Sequence, residues 1–470
     1  MARVRFVVVG GGITGLAAAH RLLEHGVDRS SVVVLEADDR LGGQIRTERH
    51  GEILIEAGPD TLVAQKPAAV ALCERLGLGA ELEEPGAGRG ATQILHRGRL
   101  IPVPRGFLMM APTSRRAVLA SPLFSWGGKL RMLAEPWVRR RPASVEDESL
   151  ASFVTRRFGA EALDRVAEPV VASLFTADAD RLSLRMTLPR FLDLEAQHGN
   201  ITPALRRAGR AFGHGTGRGG FVSMRGGLER IVVALASRLA GSIRTRARLV
   251  RATLSGGGWT LALAGGETIA AEGVIFACPG HAAAKALADL DAPLAEELSI
   301  LRYAPCATVN VAYRRADVGA PLSALGFFVP RTERSAILAC SYVSEKFAGR
   351  APRDLVVLRA FLGGATRPGI VEGDDAALTR VVHDALRPVL AISGEPVFAR
   401  VHRFARAMPQ FEVGASAWVE RVRDRANAHP GLVLVGSVTG AVGLPDCIRS
   451  GEEAADRLAS RAAAVPVTAA

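Results

Sequence analysis

Two periods of apolar residues divide this chain. Uninterrupted runs such as Val7-Val8-Val9, Val32-Val33-Val34-Leu35 and Leu432-Val433-Leu434-Val435 are short, rich in branched residues and followed by glycine or an acid. That is the pattern of strands buried on both faces. Stretches at 307–313, 335–343 and 355–362 alternate instead, and predict a separate antiparallel sheet, a natural wall for a substrate cavity. Helical spacing takes over elsewhere. It predicts helices at 66–78, from Asp147 as N-cap to Gly159 as stop, at 160–174, through Ile231, Leu235 and Leu239, and at the C-terminus up to about Ala464. Glycine turns predict hairpins around Arg97-Gly98 and Gly256-Gly257-Gly258, and the six glycines from Gly209 to Gly220 read as a flexible loop.

The first two runs frame a chemical motif. Val9 leads into Gly10-Gly11-Gly12-Ile13-Thr14-Gly15 and a helical stretch, and the second run ends on Glu36, 21 residues beyond Gly15. Strand, glycine turn, helix, strand and terminal acid make the opening unit of a dinucleotide-binding domain. Gly10 makes the tight turn, Gly12 lets a pyrophosphate approach the backbone, and Gly15 lets the helix pack on the sheet. The N–H groups at the helix start face the phosphates, and Glu36 can accept hydrogen bonds from a ribose. Arg40-Leu41-Gly42-Gly43-Gln44-Ile45-Arg46 follows at once, and Ile55-Glu56-Ala57-Gly58-Pro59-Asp60 soon after. A second arginine and double-glycine turn would carry the chain along a longer ligand, with Arg40 and Arg46 available to phosphate. The plainer alternative is a solvated hairpin with ordinary arginines. Near the other end, the strand at 431–436 runs through Gly440-Ala441-Val442-Gly443-Leu444 into the last helix, a second helix start able to face a polar ligand.

A chain of 470 residues is expected to form two or three domains, and 48% hydrophobic residues argue against disorder. The first strand begins at once, leaving no room for a signal peptide, and no apolar run reaches the ~18 residues of a spanning helix. A cytoplasmic protein is expected, free or peripheral on the inner membrane. Five cysteines without paired spacing and ten histidines without ligand spacing predict no disulfide framework and no metal. The net charge of +12 asks for an acidic partner. Aromatic residues are only 5%, and no basic helix carries stacking residues, so nucleic acid is disfavoured against anionic lipid or an acidic substrate. Residues 105–141 hold eight Lys/Arg against Glu135 alone, interleaved with Leu119, Leu123, Phe124, Trp126, Leu130 and Trp137. That composition fits binding in the plane of an anionic membrane, or equally a helical subdomain with a solvated basic face.

Further segments carry a likeness over nearly the whole chain. They are Pro122-Leu123-Phe124-Ser125-Trp126 with Gly128-Lys129-Leu130-Arg131, Asp147-Glu148-Ser149-Leu150, Phe175-Thr176-Ala177-Asp178, Pro409-Gln410-Phe411 and Gly443-Leu444-Pro445-Asp446-Cys447-Ile448. The sequence resembles the protoporphyrinogen/coproporphyrinogen oxidase family of haem biosynthesis, within the flavin amine-oxidase superfamily. The resemblance implies FAD rather than NAD, and an α/β fold in three parts. These are an FAD-binding Rossmann-like domain of glutathione-reductase/amine-oxidase type (1–85, 220–300 and 425–470), an antiparallel-sheet substrate domain (86–110 and 301–424) and a helical membrane-facing domain (111–208), followed by the Gly-rich loop 209–219. It implies that Gly10, Gly11, Gly12, Ile13, Thr14, Gly15, Glu36, Arg40, Gly42, Gly43, Gln44, Gly58, Pro59, Asp60 and Thr61 touch FAD. The backbone of Leu249 would meet the adenine. Val442, Gly443 and Leu444 would lie beside the ribityl chain and flavin ring, and Gly436 joins the cofactor set.

The implied reaction is a six-electron dehydrogenation of protoporphyrinogen IX or coproporphyrinogen III. Hydride passes to flavin N5, molecular oxygen is the acceptor and peroxide the by-product. A monomer or homodimer handing its product to ferrochelatase fits the same resemblance. Plant and proteobacterial-like members carry an arginine for a substrate propionate just before the Gln93-Ile94-Leu95 strand. Thr92 stands there in this chain, which leaves Arg89, Arg97 or Arg99 to take that role. Ser173-Leu174-Phe175 replaces a common Gly-Ile-Tyr, and Gly414-Ala415 a common Gly-His, so Phe175 belongs to an altered cavity wall. The pattern contains no Ser/His/Asp or paired-carboxylate signature and singles out no catalytic proton carrier. Two alternatives stay open: another flavin amine oxidase or carotenoid desaturase, and a non-redox or inactive FAD-binding homologue.

Overall fold

In strand Ala2–Val9 the last four residues, Phe6 to Val9, are buried on both sides, which is why their apolar run is unbroken. Phe6 and Val8 point into one core, and Val7 and Val9 into another. In the computed structural model, which describes residues 2–86, 92–104, 106–142, 144–208 and 220–464, this strand pairs in parallel with Val32–Leu35 on one side and Thr268–Phe276 on the other. Ile243–Arg244 extends the sheet beyond Val32–Leu35. Thr268–Phe276 is shared at its far edge: its second half takes Leu432–Leu434 in parallel, and its first half carries the antiparallel meander Gly258–Leu263 and Leu249–Ser255. Helices Ile13–Glu24, Glu229–Arg238 and Leu444–Ala464 cover one face, while Gly280–Leu287, Ala292–Ile300 and Ala415–Asn427 cover the other. The layer is therefore assembled from segments hundreds of residues apart.

A second sheet of seven strands runs in the order Phe398–Pro409, Tyr303–Arg314, Leu355–Gly363, Ala339–Tyr342, Gly326–Phe328, Gln93–His96 and Arg99–Pro102. It is antiparallel except where Gln93–His96 lies parallel to Gly326–Phe328. One face packs on helix Asp375–Leu390 through Val309, Val311, Leu358, Val382 and Leu386. The other meets the hairpin Thr47–His50/Ile53–Glu56 that projects from the first sheet, with Ala312, Val343 and Val357 against Ile53 and Ile55.

Residues 115–208 are helical around Leu123, Phe153, Phe158, Phe191 and Leu192. One expectation is corrected here and a second refined. The N-cap of Leu150–Phe158 is Ser149, whose hydroxyl accepts the Ser152 N–H at 3.1 Å. Asp147 stands too far ahead and serves another turn, accepting from the Ser183 hydroxyl at 2.6 Å and the Arg185 N–H at 3.0 Å. The helix expected at 160–174 is present and unbroken over 160–175, but its middle, Leu163–Ala172, is a wider π-helical stretch between the α segments Ala160–Ala162 and Ser173–Phe175. Pro169 lies inside that stretch and has no N–H to give an α-helical bond. The Gly-rich segment 209–219 and Arg89 lie outside the described residues. Among the described residues no helix is long and apolar enough to cross a membrane.

Candidate functional site

Two glycine turns meet where the first strand ends. Gly10 has a φ of 115°, which L-residues avoid, and a Cβ there would strike the Ala277 carbonyl oxygen at 2.6 Å. A Cβ on Gly15 would lie 1.9 Å from the Gly10 carbonyl oxygen. Helix Ile13–Glu24 can therefore start here only with glycine. Gly12 is different: a Cβ there meets nothing within 4 Å. The first N–H groups of the helix point into that open space, and among the described residues no side chain caps them. This is the donor set and the clearance that a pyrophosphate needs. The Gly42 N–H donates to the Gly11 carbonyl at 2.8 Å, and a Cβ on Gly43 would sit 3.5 Å from Gly12 Cα, so the second turn lies directly on the first.

Glu36 anchors this junction. Its Oε2 accepts the Gly11 N–H at 2.7 Å and its Oε1 the Asp38 N–H at 2.8 Å. Each oxygen keeps a second lone pair for a hydroxyl. Arg40 donates to the carbonyls of Leu41 (2.6 Å), Ile45 (3.1 Å) and Gly43, and Arg46 pairs with Glu48 at 2.7 Å. These guanidinium groups brace the second turn and its hairpin. The segment entering Leu249–Ser255 is tied to the same strand tip, with Ala247 N–H on the Glu36 carbonyl at 2.8 Å.

The C-terminal glycines close over this end. A Cβ on Gly451 would lie 2.2 Å from the Thr14 carbonyl oxygen, so the last helix crosses the first at close range. A Cβ on Gly436 would sit 3.8 Å from the Thr14 side chain. Cys447 donates through N–H to the Gly443 carbonyl at 2.9 Å, and its thiol points to the Val442 carbonyl at 3.6 Å, which fixes the loop before Leu444. Sequence reasoning missed Tyr303. Its phenol oxygen accepts the Gly280 N–H at 3.0 Å and shares a hydrogen bond with Ser437 Oγ at 2.8 Å, joining the two sheets beside these glycines.

The turn Gly58–Thr61 forms the opposite side. A Cβ on Gly58 would meet the Gln44 carbonyl oxygen at 2.1 Å, while Gln44 Nε2 donates to the Ala407 carbonyl at 2.5 Å. Asp60 Oδ2 lies 3.1 Å from both Lys346 Nζ and Arg359 Nη2. Burial alone would raise the Asp60 carboxyl, but Arg359 and Lys346 outweigh it and hold the group well below the usual carboxylate range. A visible signal for Arg359 did exist: it interrupts the apolar run Leu355-Val356-Val357-Leu358 before Ala360.

Glu56 precedes this turn and is 3% exposed. Its carboxylate accepts the Leu228 N–H at 2.7 Å and the Thr47 hydroxyl at 2.8 Å. Burial pushes it up to about 7 against the lowering pull of these bonds and of Arg350 and Arg359. Because the folded pKa lies above the unfolded one, the folded state holds its proton longer. The stability this lends is full below about 4.5 and is lost as pH rises toward about 7. At 1.36 kcal/mol per pH unit the effect is at most about 3 kcal/mol. Wild type should therefore lose several degrees of melting temperature relative to Glu56→Gln between those pH values; parallel melting curves would show the carboxyl to be ionised throughout.

The residues expected to meet substrate are spread out. Thr92 opens the strand Gln93–His96, its carbonyl bonded to Val103 N–H at 2.9 Å. Arg97 stands beyond the far end at the hairpin tip, with φ 52°, an exposed side chain and its N–H on Glu333 at 2.8 Å. At ~3.3 Å per residue the two are roughly 16 Å apart. Phe175 is half-buried, and its carbonyl accepts from Gln410 Nε2 at 3.3 Å, which links the helical part to the end of Phe398–Pro409.

The family model described as flavin containing amine oxidoreductase matches residues 13–459. The coproporphyrinogen III oxidase of Bacillus subtilis (strain 168) is 31% identical over 458 residues, covering 95% of this chain and 96% of the relative. Protoporphyrinogen oxidase 2 (chloroplastic/mitochondrial) of Arabidopsis thaliana is 27% identical over 489 residues, 97% of this chain and 94% of its own. A crystal structure from Exiguobacterium sp. 255-15 superimposes with a TM-score of 0.84 at 29% identity, covering 97% of this chain and 99% of that one. With its glycine turns laid against one another on a mixed α/β frame, this chain belongs to the family of flavin-containing amine oxidoreductases.

Proposed function

We propose that this protein is an FAD-dependent oxidase that converts a porphyrinogen, coproporphyrinogen III or protoporphyrinogen IX, into the porphyrin. The observation that carries the reading is the open space at Gly12, set in a chain that matches proteins named as porphyrinogen oxidases over 95% and 97% of its length. When bound, the flavin supplies the hydride acceptor, with molecular oxygen as the final oxidant. The protein's own share is placement. The N–H groups of Ile13, Thr14 and Gly15 hold the pyrophosphate, Glu36 receives a ribose hydroxyl, and Gly58–Thr61 and Val442–Leu444 flank the ring. The second sheet is the wall offered to an apolar, acidic tetrapyrrole, and Gln410 Nε2 ties the Phe175 carbonyl of the helical part to the end of its edge strand. Burial pushes the Cys278 thiol up to about 12 and that of Cys447 to about 11, so neither serves as a nucleophile.

The test is an anaerobic mixture of purified protein with each porphyrinogen. Flavin bleaching on mixing, followed by porphyrin fluorescence on admission of air, is the expected result. Stable colour with both substrates, and bleaching with an amine instead, would reject this reading in favour of an amine oxidase.

The helical part supports a peripheral contact with anionic membrane. Trp126 and Trp137 are 71% and 78% exposed, with Leu130 at 64%, although large apolar side chains at the surface are rarely grouped. Arg115, Arg116, Arg139 and Arg140 are exposed on the same part. Wild type should co-sediment with phosphatidylserine vesicles, less so at high salt, and Trp126→Ser/Trp137→Ser should lower the bound fraction at least fivefold. Equal sedimentation with and without vesicles would reduce these residues to a solvated face. Delivery of the product to ferrochelatase belongs to the same reading.

A further inference from the structure

Two cations stand behind the turn that the flavin lies against in the reading above. Arg359 projects from the middle of strand Leu355–Gly363, and Lys346 ends the short helix Val343–Lys346; they are 3% and 9% exposed. Arg359 Nη1 donates to the carbonyl oxygens of Gly58 at 2.8 Å and Glu56 at 3.3 Å, while Nη2 lies 3.1 Å from Asp60 Oδ2. Lys346 Nζ approaches that same oxygen at 3.1 Å. A rigid planar fork that grips two carbonyls and a carboxylate fixes the path of the backbone between them. Arg359 is thus a clamp on the turn as well as a charge.

The local charges do not cancel. Two buried cations share the single carboxylate of Asp60. Arg350 faces both remaining acids, Glu83 at 3.0 Å and Glu56 Oε1 at 3.7 Å. Because burial pushes the Glu56 carboxyl up to about 7, Arg350 is balanced by Glu83 alone while Glu56 holds its proton. Arg359 Nε and both polar side-chain atoms of Asn310, its register partner on Tyr303–Arg314, are buried and find no hydrogen-bond partner among the described residues. Enclosed charge of this kind is little screened by solvent and acts on whatever lies across the turn. A flavin that takes up a hydride gains one negative charge.

We infer that Arg359 is a positioning residue for the flavin-bearing turn, and that with Lys346 it provides the surplus positive charge that favours hydride uptake. This rests on the cofactor placement proposed above. Flavin content, midpoint potential and sulfite affinity of the holoprotein test it in Arg359→Met, Arg359→Lys and Lys346→Met. Sulfite is the probe because it adds to flavin N5 and also leaves a negative charge. The sulfite Kd is expected to rise tenfold or more in Arg359→Met, with the potential falling by about 30 mV, the two-electron equivalent of tenfold. Lys346→Met should move both in the same direction by less, and Arg359→Lys should restore most of the affinity. Should Arg359→Met fail to fold, Lys346→Met decides, since Lys346 grips no carbonyl of the turn. Flavin-loaded variants with wild-type potential and sulfite affinity would overturn the inference and leave the cofactor reading standing. A wild-type protein that takes up no flavin would instead overturn the cofactor reading itself.

Discussion

Valine in place of Gly12 is expected to give a folded protein that has lost its flavin. The backbone at Gly12 has φ −72° and ψ 176°, ordinary extended values for any residue, and a Cβ there touches nothing within 4 Å. The protein itself therefore tolerates the side chain. The isopropyl group would occupy the space into which the N–H groups of Ile13, Thr14 and Gly15 point, and phosphate oxygens could no longer reach them. A loss of at least a hundredfold in FAD affinity, about 2.8 kcal/mol, is the expected outcome. Gly15→Ala makes the contrast. Its Cβ would sit 1.9 Å from a backbone carbonyl oxygen, a clash no rotamer relieves, so the helix must shift. That variant should lose stability, by about 3 kcal/mol or more, along with flavin. Flavin absorbance and thermal melting of the two variants separate the cases. A Gly12→Val protein that stays fully yellow would place the cofactor elsewhere.

That contrast shows what was legible in the sequence. The motif at Gly10–Gly15 and Glu36 is local: each residue's role follows from a turn, a helix start or a strand tip within 36 residues of the N-terminus. The strands around 307–313 and 355–362 were legible for the same reason, since their apolar periods are their own. The edge strand Phe398–Pro409 was not, because Arg400, Arg403 and Arg406 break up its apolar pattern. Partnerships across the seam were also hidden. Nothing near Asp60 in sequence announces Lys346 or Arg359, and nothing near Gly436 announces Tyr303. Arg40 reads in the sequence as available to phosphate; what the sequence does not announce is that its guanidinium also donates to the carbonyls of its own turn.

In the helical part, Arg157→Met is expected to cost about 3–5 kcal/mol, the usual penalty for removing one member of a buried ion cluster. Arg157 and Glu135 are fully buried and Glu195 is 2% exposed. The guanidinium reaches Glu195 Oε1 at 2.5 Å, Glu135 Oε1 at 3.3 Å, and the carbonyls of Gly199 at 2.7 Å and Val138 at 3.2 Å. Each acid keeps other donors: Glu135 holds the Ile201 and Thr202 N–H groups, and Glu195 holds Arg156 and the Arg141 N–H. The thioether would leave both carboxylates short of positive charge and the two carbonyls short of a donor. Acid should act on the same cluster. Burial raises Glu195, but Arg156, the Arg141 N–H and Arg157 outweigh it and lower its pKa. Its contribution is therefore present above the unfolded value and disappears as pH falls through the folded one. None of these groups touches the glycine turns, so Arg157→Met should keep its flavin while its helical part melts early and releases phosphatidylserine vesicles. A variant that melts with the wild type would mean that the cluster's other hydrogen bonds suffice to hold these helices together.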